Sequence, residues 1–310
     1  MTGRPVLVAV PAVVAAGVHS AADLAGPVAD PGPGWFDPVR HLGRRGWKYL
    51  TPATRHLLAA AALAPAGRGR PERTGVAAGT SDAIDAMHLD FDRTVRAEGA
   101  AGLSPAQLPG FSVNIPASQL AIVRRAQAFS VTLTSPGVAG VEAVLFGAAA
   151  LRSGRADEVL AAATEQGGGG VPRGGAVAVR LSADPTGAAG RILAGTSRFL
   201  PAGTPVPAAV LDRLAALVRP AGGPVRLAVS GPAAAGLRRP LLAALRQSGV
   251  DSAPVDPVGT AGEYGCVSGL LQLAAVLGEP GTALVVATSG AGHVAAVAIE
   301  VGQKSTPIVG

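Results

Sequence analysis

The chain has 310 residues, of which 48% are hydrophobic, and its mean hydropathy is +0.38. This composition excludes a disordered protein and allows one large domain or two fused halves. The net charge is +6, but the arginines are scattered without interleaved aromatic residues, so we expect no nucleic-acid partner. A single cysteine excludes an internal disulfide and fits the cytoplasm, and no apolar stretch is long enough for a membrane span.

The first part of the chain alternates predicted strands and helices. The apolar run near the N-terminus imitates a signal peptide, but we interpret it as a buried strand. Thr51 followed by Pro52 is typical of a helix start, with Thr51 as the N-cap. The predicted strands are 6–13, 74–80, 129–134, 157–165 and 175–182, and the predicted helices are 51–64, 81–99 in its first part, 116–127 and 138–154.

The second part of the chain repeats the same theme. Strands are predicted at 191–200 and 225–231 and in a closing hairpin within 282–300, and helices at 207–218, 234–249 and 263–278. Each half ends with a glycine-interrupted helix, a strand, a glycine-rich turn and a last strand. We therefore predict two similar α/β halves, 1–185 and 186–310, packed as one compact unit.

The stretch TLTSPGVAGVEAV (132–144) carries the most informative local pattern. A β-rich segment runs into a sharp turn, and a helix with an apolar face follows. That layout usually presents a reactive side chain at the elbow. Here the tip of the turn is Gly137, which has no side chain. Either a nucleophile has been lost, or the glycine serves an unrelated turn that needs a positive φ.

The segment LTSPGVAGVEAVLFGAAALRSGRADEVLAAATE resembles the nucleophile elbow and following helix of the β-ketoacyl synthases. Gly154, Arg155, Ala156, Asp157 and Glu165 fit the family's turn and the strand after it. TGVAAGTS, GEYGCVSGLLQLAAVLG and SGAGHVAAVAIE resemble three further segments of the family. The resemblance implies an α/β protein with the thiolase-like fold, a layered αβαβα arrangement of two pseudo-repeated halves.

The departures from the family pattern fall on its catalytic positions. Residue-by-residue matching puts Gly137 at the cysteine, Ser230 at the first histidine and Glu263 at the second, while Ala291 replaces the gating phenylalanine. Condensation needs a thiolate to hold the acyl chain and two imidazoles to stabilise an enolate. Glycine, serine and glutamate supply neither. The resemblance therefore implies a subunit with no catalytic residues of its own.

Type II polyketide synthases offer an interpretation of such a subunit. They pair an active ketosynthase with an inactive homologue, the chain length factor, which shapes the pocket for the growing chain. The resemblance implies a heterodimer of this kind in polyketide or polyene biosynthesis, with an acidic acyl carrier protein as a further partner. Arg124–Arg125 and Arg238–Arg239 are candidates for contacts with the carrier protein.

Candidate pocket and interface residues lie on either side of the elbow strand. The resemblance places Phe111, Val113 and Ile115 near the deep end of the pocket, where they would limit chain length. Their spacing fits equally well an ordinary alternating strand with one face in the core. Glu142, on the helix behind the elbow, is a candidate for a polar contact across the dimer.

Two other functions remain open. The chain is a diverged acyltransferase or hydrolase if Ser135, Cys266 or His293 acts as the reactive group. It is a homodimeric scaffold if it binds a carrier protein without a ketosynthase. No spacing of His, Cys, Asp or Glu matches a metal site, so we predict no metal and no cofactor.

Overall fold

A computed structural model describes residues 4–18, 23–24, 28, 31–32, 34–65, 67–168, 170–200, 206–221, 223–255 and 263–302. The first half contains β1 (Val6–Ala9), β2 (Ala12–Ala15), α1 (Pro38–Leu42), α2 (Pro52–Leu63), β3 (Thr74–Gly79), α3 (Asp85–Glu98), α4 (Ile115–Arg124), β4 (Phe129–Leu133), α5 (Ala139–Arg152), β5 (Glu158–Glu165) and β6 (Gly175–Ser182). The second half contains β7 (Ala188–Phe199), α6 (Ala208–Ala216), β8 (Val225–Ser230), α7 (Ala234–Gln247), β9 (Ser252–Val255), α8 (Ser268–Val276), β10 (Gly281–Thr288) and β11 (His293–Val301).

The strands form one mixed sheet in which the same order occurs twice. The sheet runs β4-β3-β5-β6-β1-β7-β11-β10-β8-β9, and β2 pairs with β6 beside this path. Read from its outer edge, each half has two parallel pairings followed by two antiparallel ones. Antiparallel pairing of β1 with β7 joins the halves. The predicted pseudo-repeat is confirmed, while the division between 185 and 186 stays a prediction.

Three clusters of buried side chains define the layers. The central cluster packs α5 and α8 between the inner faces of the two half-sheets. A second cluster packs α2 and α4 against the outer face of the first half, and a third packs α6 and α7 against the second half. Ala, Val and Leu dominate all three clusters. Because β3 and β6 are buried along their whole length, their sequences are mostly apolar, apart from Thr74 in β3 and Arg180 and Ser182 in β6.

Local chemistry explains where the elements begin and end. The Thr51 hydroxyl accepts a hydrogen bond from the Thr54 amide at 3.3 Å and Pro52 occupies the first turn, so the predicted start of α2 is confirmed. The predicted strand over 6–13 is two short strands separated at Val10–Pro11. Proline has no amide hydrogen for a sheet ladder, which accounts for the break.

The structure differs most from the sequence interpretation around residues 108–115. The alternating pattern there suggests a strand, but Leu108–Phe111 forms a 3₁₀ helix and Ile115 begins α4. Pro116 in the first turn of α4 favours a helix start at this point. The helix predicted over 263–278 begins as a 3₁₀ turn at Gly265–Val267 and continues as α8. None of the described helices has the length and apolarity needed to cross a bilayer.

Candidate functional site

The elbow between β4 and α5 has no space for a side chain at its tip. The turn is closed by the Ser135 carbonyl, which accepts hydrogen bonds from the amides of Val138 at 3.2 Å and Ala139 at 3.0 Å. Gly137 has a φ of +73°, which side chains rarely adopt. A Cβ atom at Gly137 would lie 2.7 Å from the carbonyl oxygen of Thr288. The closing hairpin therefore occupies the position of a nucleophile.

A cleft of about 410 Å³ opens beside the elbow. It lies where the elbow, the closing hairpin and the starts of α7 and α8 come together. Its lining residues are Ser81, Pro136, Gly137, Gly170, Val171, Pro172, Pro232, Glu263, Gly265, Ser289 and Gly290. Two of the three positions matched to family catalytic residues, Gly137 and Glu263, thus line one cleft.

The third matched position, Ser230, is not among the residues that line the cleft. The residue is fully buried, and its hydroxyl lies 3.5 Å from the carbonyl oxygen of Val286 on the neighbouring strand β10. The Ser230 carbonyl accepts a hydrogen bond from the Thr288 hydroxyl at 2.8 Å. Ser230 therefore ties β8 to β10. Its correspondence to a catalytic position remains a prediction.

Glu263 at the cleft is neutralised by Arg173. The Arg173 Nε atom lies 3.3 Å from a carboxylate oxygen of Glu263, and the Arg173 amide donates to the Glu263 carbonyl at 2.9 Å. The Arg173 guanidinium also lies over the ring of Tyr264. A carboxylate at this position cannot stabilise a developing oxyanion as a histidine would.

The alternative reactive groups are not part of the cleft lining. Cys266 is fully buried, and burial together with the nearby Glu165 carboxylate raises the pKa of its thiol, so the thiolate is disfavoured. Ser135 and His293 are absent from the lining residues. The His293 ring instead packs edge-on against Phe199, with ring centroids 5.0 Å apart.

The sequence interpretation matched Glu165 to the family pattern but missed the buried hydrogen-bond network that Glu165 forms beneath the cleft. Glu165, at the end of β5, is fully buried. It accepts hydrogen bonds from the Thr80 hydroxyl, from both the amide and the hydroxyl of Ser81, and from the amides of Asp82 and Cys266, at 2.5 to 3.2 Å. Burial opposes its ionisation, but the hydrogen bonds outweigh burial and lower the pKa of Glu165.

Asp82 forms a second carboxyl group in the same network. Its two oxygens accept hydrogen bonds from the amides of Gln166 at 2.7 Å and Gly167 at 3.2 Å. Burial, the hydrogen bond to Glu165 and the charge of Glu165 raise the pKa of Asp82 to about 8. The signal in the sequence was indirect. It consists of a buried strand that ends in Glu165 and a second one followed by Thr80, Ser81 and Asp82.

The candidate pocket residues lie apart from this cleft within the chain. Phe111 is 50% exposed and stacks on Phe91, with centroids 5.6 Å apart. Val113 packs against a small cluster that includes Ile84, and Ile115 is the first residue of α4. Their predicted role in limiting chain length therefore requires a partner subunit to cover this region, and it remains a prediction.

Two further polar side chains, on α5 and α2, form hydrogen bonds to neighbouring strands. Glu142 on α5 accepts a hydrogen bond from the Ser197 hydroxyl on β7 at 2.6 Å. The ring of His56 on α2 is buried, and its Nδ1 atom lies 3.1 Å from the carbonyl oxygen of Glu165. Burial lowers the pKa of His56 to about 4, so the neutral imidazole is favoured.

In the described part of the chain, no three His, Cys, Asp or Glu side chains are grouped to hold a metal ion.

Comparison with known proteins identifies the fold. No family model and no curated protein sequence matches the chain. Solved structures do match, among them a type II polyketide synthase acyl carrier protein in complex with its hexaketide-bound ketosynthase (AntDE:AntF). The match has a TM-score of 0.79 at 14% identity and covers 97% of this chain and all of that chain. The chain has the ketosynthase fold.

Two further structures with this fold match over nearly the whole chain. The ishigamide ketosynthase/chain length factor has a TM-score of 0.72 at 20% identity, with 96% of this chain and all of that chain covered. A ketosynthase from module 6 of the bacillaene synthase of Bacillus subtilis has a TM-score of 0.69 at 14% identity, with 97% and 71% covered. The predicted thiolase-like αβαβα fold is confirmed.

Proposed function

We propose that this chain is a non-catalytic, ketosynthase-like subunit of the chain length factor type. It pairs with an active β-ketoacyl synthase in the cytoplasm, in type II polyketide or polyene biosynthesis, and helps to shape the pocket for the acyl chain. The observation that carries the proposal is the elbow. Gly137 has no side chain, and the Thr288 carbonyl fills the space that a nucleophile would need.

An uncovered sheet edge supports a partner subunit. β4 is the edge strand of the first half, and its sequence, FSVTL, contains neither a charge nor a proline. The Thr132 hydroxyl on this strand is buried without a hydrogen-bond partner. The opposite edge strand, β9, is one residue shorter and contains Pro254, a common protection against edge pairing. The contrast supports pairing through β4.

The face next to β4 offers further contact area. On α5, the helix packed between the half-sheets, Leu145 and Phe146 are only partly buried. On β7, the pairing with β1 ends at Ile192, so the strand beyond Leu193 is paired only with β11. A second open edge thus lies near the same helix. Obligate interfaces are rich in apolar surface, and an open strand edge can pair with a strand of another chain.

Basic surface supports an acidic carrier protein as the second partner. Between Asp37 and Glu72 the sequence contains no acidic residue. The exposed cations in this segment are Arg40, Arg44, Arg45, Lys48, Arg68 and Arg70. Arg125 and Arg239 are also exposed, whereas their neighbours in the two predicted arginine pairs donate to backbone carbonyls. A concentrated positive surface would accelerate encounter with an acidic partner.

The test is reconstitution with an active ketosynthase, a carrier protein and malonyl and acyl substrates. We expect condensation that depends on this chain, while the chain alone forms no acyl adduct by intact-mass analysis. Ser130→Arg, on the exposed side of β4, should lower the affinity for the ketosynthase at least about tenfold. Ala253→Arg places the same side chain on the opposite edge strand β9 and should leave the affinity unchanged.

Three outcomes would contradict the proposal. An acyl adduct on Ser135 or Cys266 would favour the acyltransferase or hydrolase. Equal losses of affinity in Ser130→Arg and Ala253→Arg would contradict pairing through β4. Binding of the carrier protein by a homodimer, with no requirement for a ketosynthase, would favour the scaffold.

A further inference from the structure

We propose that the groove between residues 48–55 and the start of α3, named the α3 groove, binds an acyl chain that ends in a free carboxylate. The α3 groove has a volume of about 270 Å³ and shares no lining residue with the cleft beside Gly137. The inference goes beyond the proposed function and concerns the isolated chain. Within the proposed function, such a ligand is the acid that water releases from an acyl thioester.

Apolar side chains form much of the α3 groove. Tyr49 and Leu50 come from the segment before α2, and Met87 and Phe91 come from α3. Met87 and Phe91 are four residues apart and therefore share one face of the helix. Along α3, as the structure describes it, only Phe91 is buried. This face of α3 thus lines the groove, where it suits an alkyl chain.

Positive charge is concentrated at the same groove, because Lys48 and Arg55 also line it. The Arg55 side chain is held in place, since its Nε and Nη2 atoms donate to the carbonyls of Trp47 at 3.2 Å and Lys48 at 3.1 Å. Asp90 is the acidic residue among the described lining residues, and the Nη1 atom of Arg93 lies 3.1 Å from its carboxylate. The lining therefore carries an excess of positive charge, which favours an anionic group.

Two further groups in the α3 groove can donate hydrogen bonds to an anion. The helix α3 begins without a side-chain cap, and Ala86 and Met87 in its first turn line the groove. Uncapped amides at a helix start attract an anion. The Gln166 side chain also lines the groove, and its Oε1 atom is buried without a hydrogen-bond partner. Rotation of this amide by half a turn would bring its NH₂ group to the same place, where it could donate to a carboxylate.

A single ligand must satisfy both kinds of lining. An uncharged apolar molecule would leave the charges of Lys48 and Arg55 without a partner. A small anion would leave Met87 and Phe91 in contact with water. An acyl chain with a terminal carboxylate matches both, because ammonium and guanidinium groups form charge-assisted hydrogen bonds to carboxylates.

Isothermal titration calorimetry of the isolated chain with octanoate tests the proposal. Octanol keeps the alkyl chain without the carboxylate, and acetate keeps the carboxylate without the chain. We expect saturable binding of octanoate, binding of octanol that is at least about tenfold weaker, and no saturable binding of acetate. This series uses the wild type, so it does not depend on the folding of a variant.

Variants on α3 locate the site. Met87→Asp places a carboxylate in the first turn of α3, where an acidic residue is favourable for the helix. It should weaken octanoate binding at least about tenfold, through repulsion and the loss of apolar contact. Leu89→Asp introduces the same side chain on α3 at an exposed position outside the groove lining, so it should leave binding unchanged.

A second pair of variants tests the charge. Lys48→Gln should weaken octanoate binding about threefold, because the Lys48 ammonium is exposed and partly screened by solvent. Arg45→Gln removes an exposed charge from the same segment but outside the groove lining, and it should leave binding unchanged at physiological salt.

Equal affinities for octanoate and octanol would overturn the proposal, because the positive charge of the groove would then play no part. Absence of saturable octanoate binding up to millimolar concentrations would overturn it as well. Equal effects of Met87→Asp and Leu89→Asp would show that octanoate binds elsewhere. None of these measurements involves a ketosynthase, so the proposed function is tested separately.

Discussion

Substitution of the elbow glycine tests the packing of the candidate site most sharply. Gly137 and Gly154 both have a φ of +73°, but their surroundings differ. A Cβ atom at Gly137 would lie 2.7 Å from the Thr288 carbonyl oxygen, whereas nothing lies within 4 Å of a Cβ atom at Gly154. Alanine at the two positions therefore separates the cost of the backbone conformation from the cost of the contact.

The two costs have different expected sizes. An L-residue in the left-handed region costs about 1 to 2 kcal/mol, and this applies to both variants. The contact at Gly137 involves backbone of the closing hairpin, which cannot rotate away, and such overpacking costs about 1 to 3 kcal/mol more. Any change in the entropy of the unfolded chain is the same for both substitutions. Gly137→Ala should thus be the more destabilising variant by about 1 to 3 kcal/mol.

Urea unfolding of Gly137→Ala, Gly154→Ala and the wild type measures this difference. Equal loss of stability in the two variants would refute the reasoning, because the hairpin would then leave room at the elbow. The result also bears on function. If the contact is as tight as the structure indicates, Gly137→Cys cannot place a thiol in the cleft without displacing the closing hairpin.

Four further predictions follow from the described contacts. The lowered pKa of His56 means that the fold favours the neutral ring, so the wild type should lose stability as pH falls below about 6.5. In urea unfolding, the free-energy difference between the wild type and His56→Asn should therefore shrink by about 2 kcal/mol from pH 7.5 to pH 5. A difference that stays constant with pH would contradict this. Cys266 should not react with Ellman's reagent in the folded chain and should react fully in urea, and rapid labelling of the folded chain would show that the thiol is accessible. Glu165→Gln should lower the free energy of unfolding by about 2 to 4 kcal/mol, because the glutamine amide cannot accept all the hydrogen bonds that the Glu165 carboxylate accepts. The control Glu279→Gln, at an exposed position, should lower it by less than about 0.5 kcal/mol. Phe111→Ala should lengthen the products of the reconstituted complex if Phe111 limits the pocket, and unchanged products would exclude that role.

Much of the fold could be predicted because its signals are local. The start of α2 was visible in Thr51 and Pro52, and the two halves were visible in a repeated order of glycine-interrupted helix, strand, turn and strand. The segment around Phe111 was harder. Its alternating pattern suits a strand, but the proline at the start of α4 favoured helical turns.

The candidate site could be predicted only in part. The elbow at Gly137 is a local pattern, and its position beside Glu263 followed from the family resemblance. The carboxyl network was out of reach, because Asp82 and Glu165 are 83 residues apart and meet only when β3 and β5 pair. The direction in which the Ser230 side chain points is likewise set by strand packing.

Native mass spectrometry of this chain, co-expressed with an active ketosynthase encoded beside it, tests the central claim most directly. We expect a stable one-to-one pair, because β4 is an edge strand without a charge or a proline to block pairing. A stable homodimer that forms in the presence of the ketosynthase and excludes it would contradict the proposed pairing.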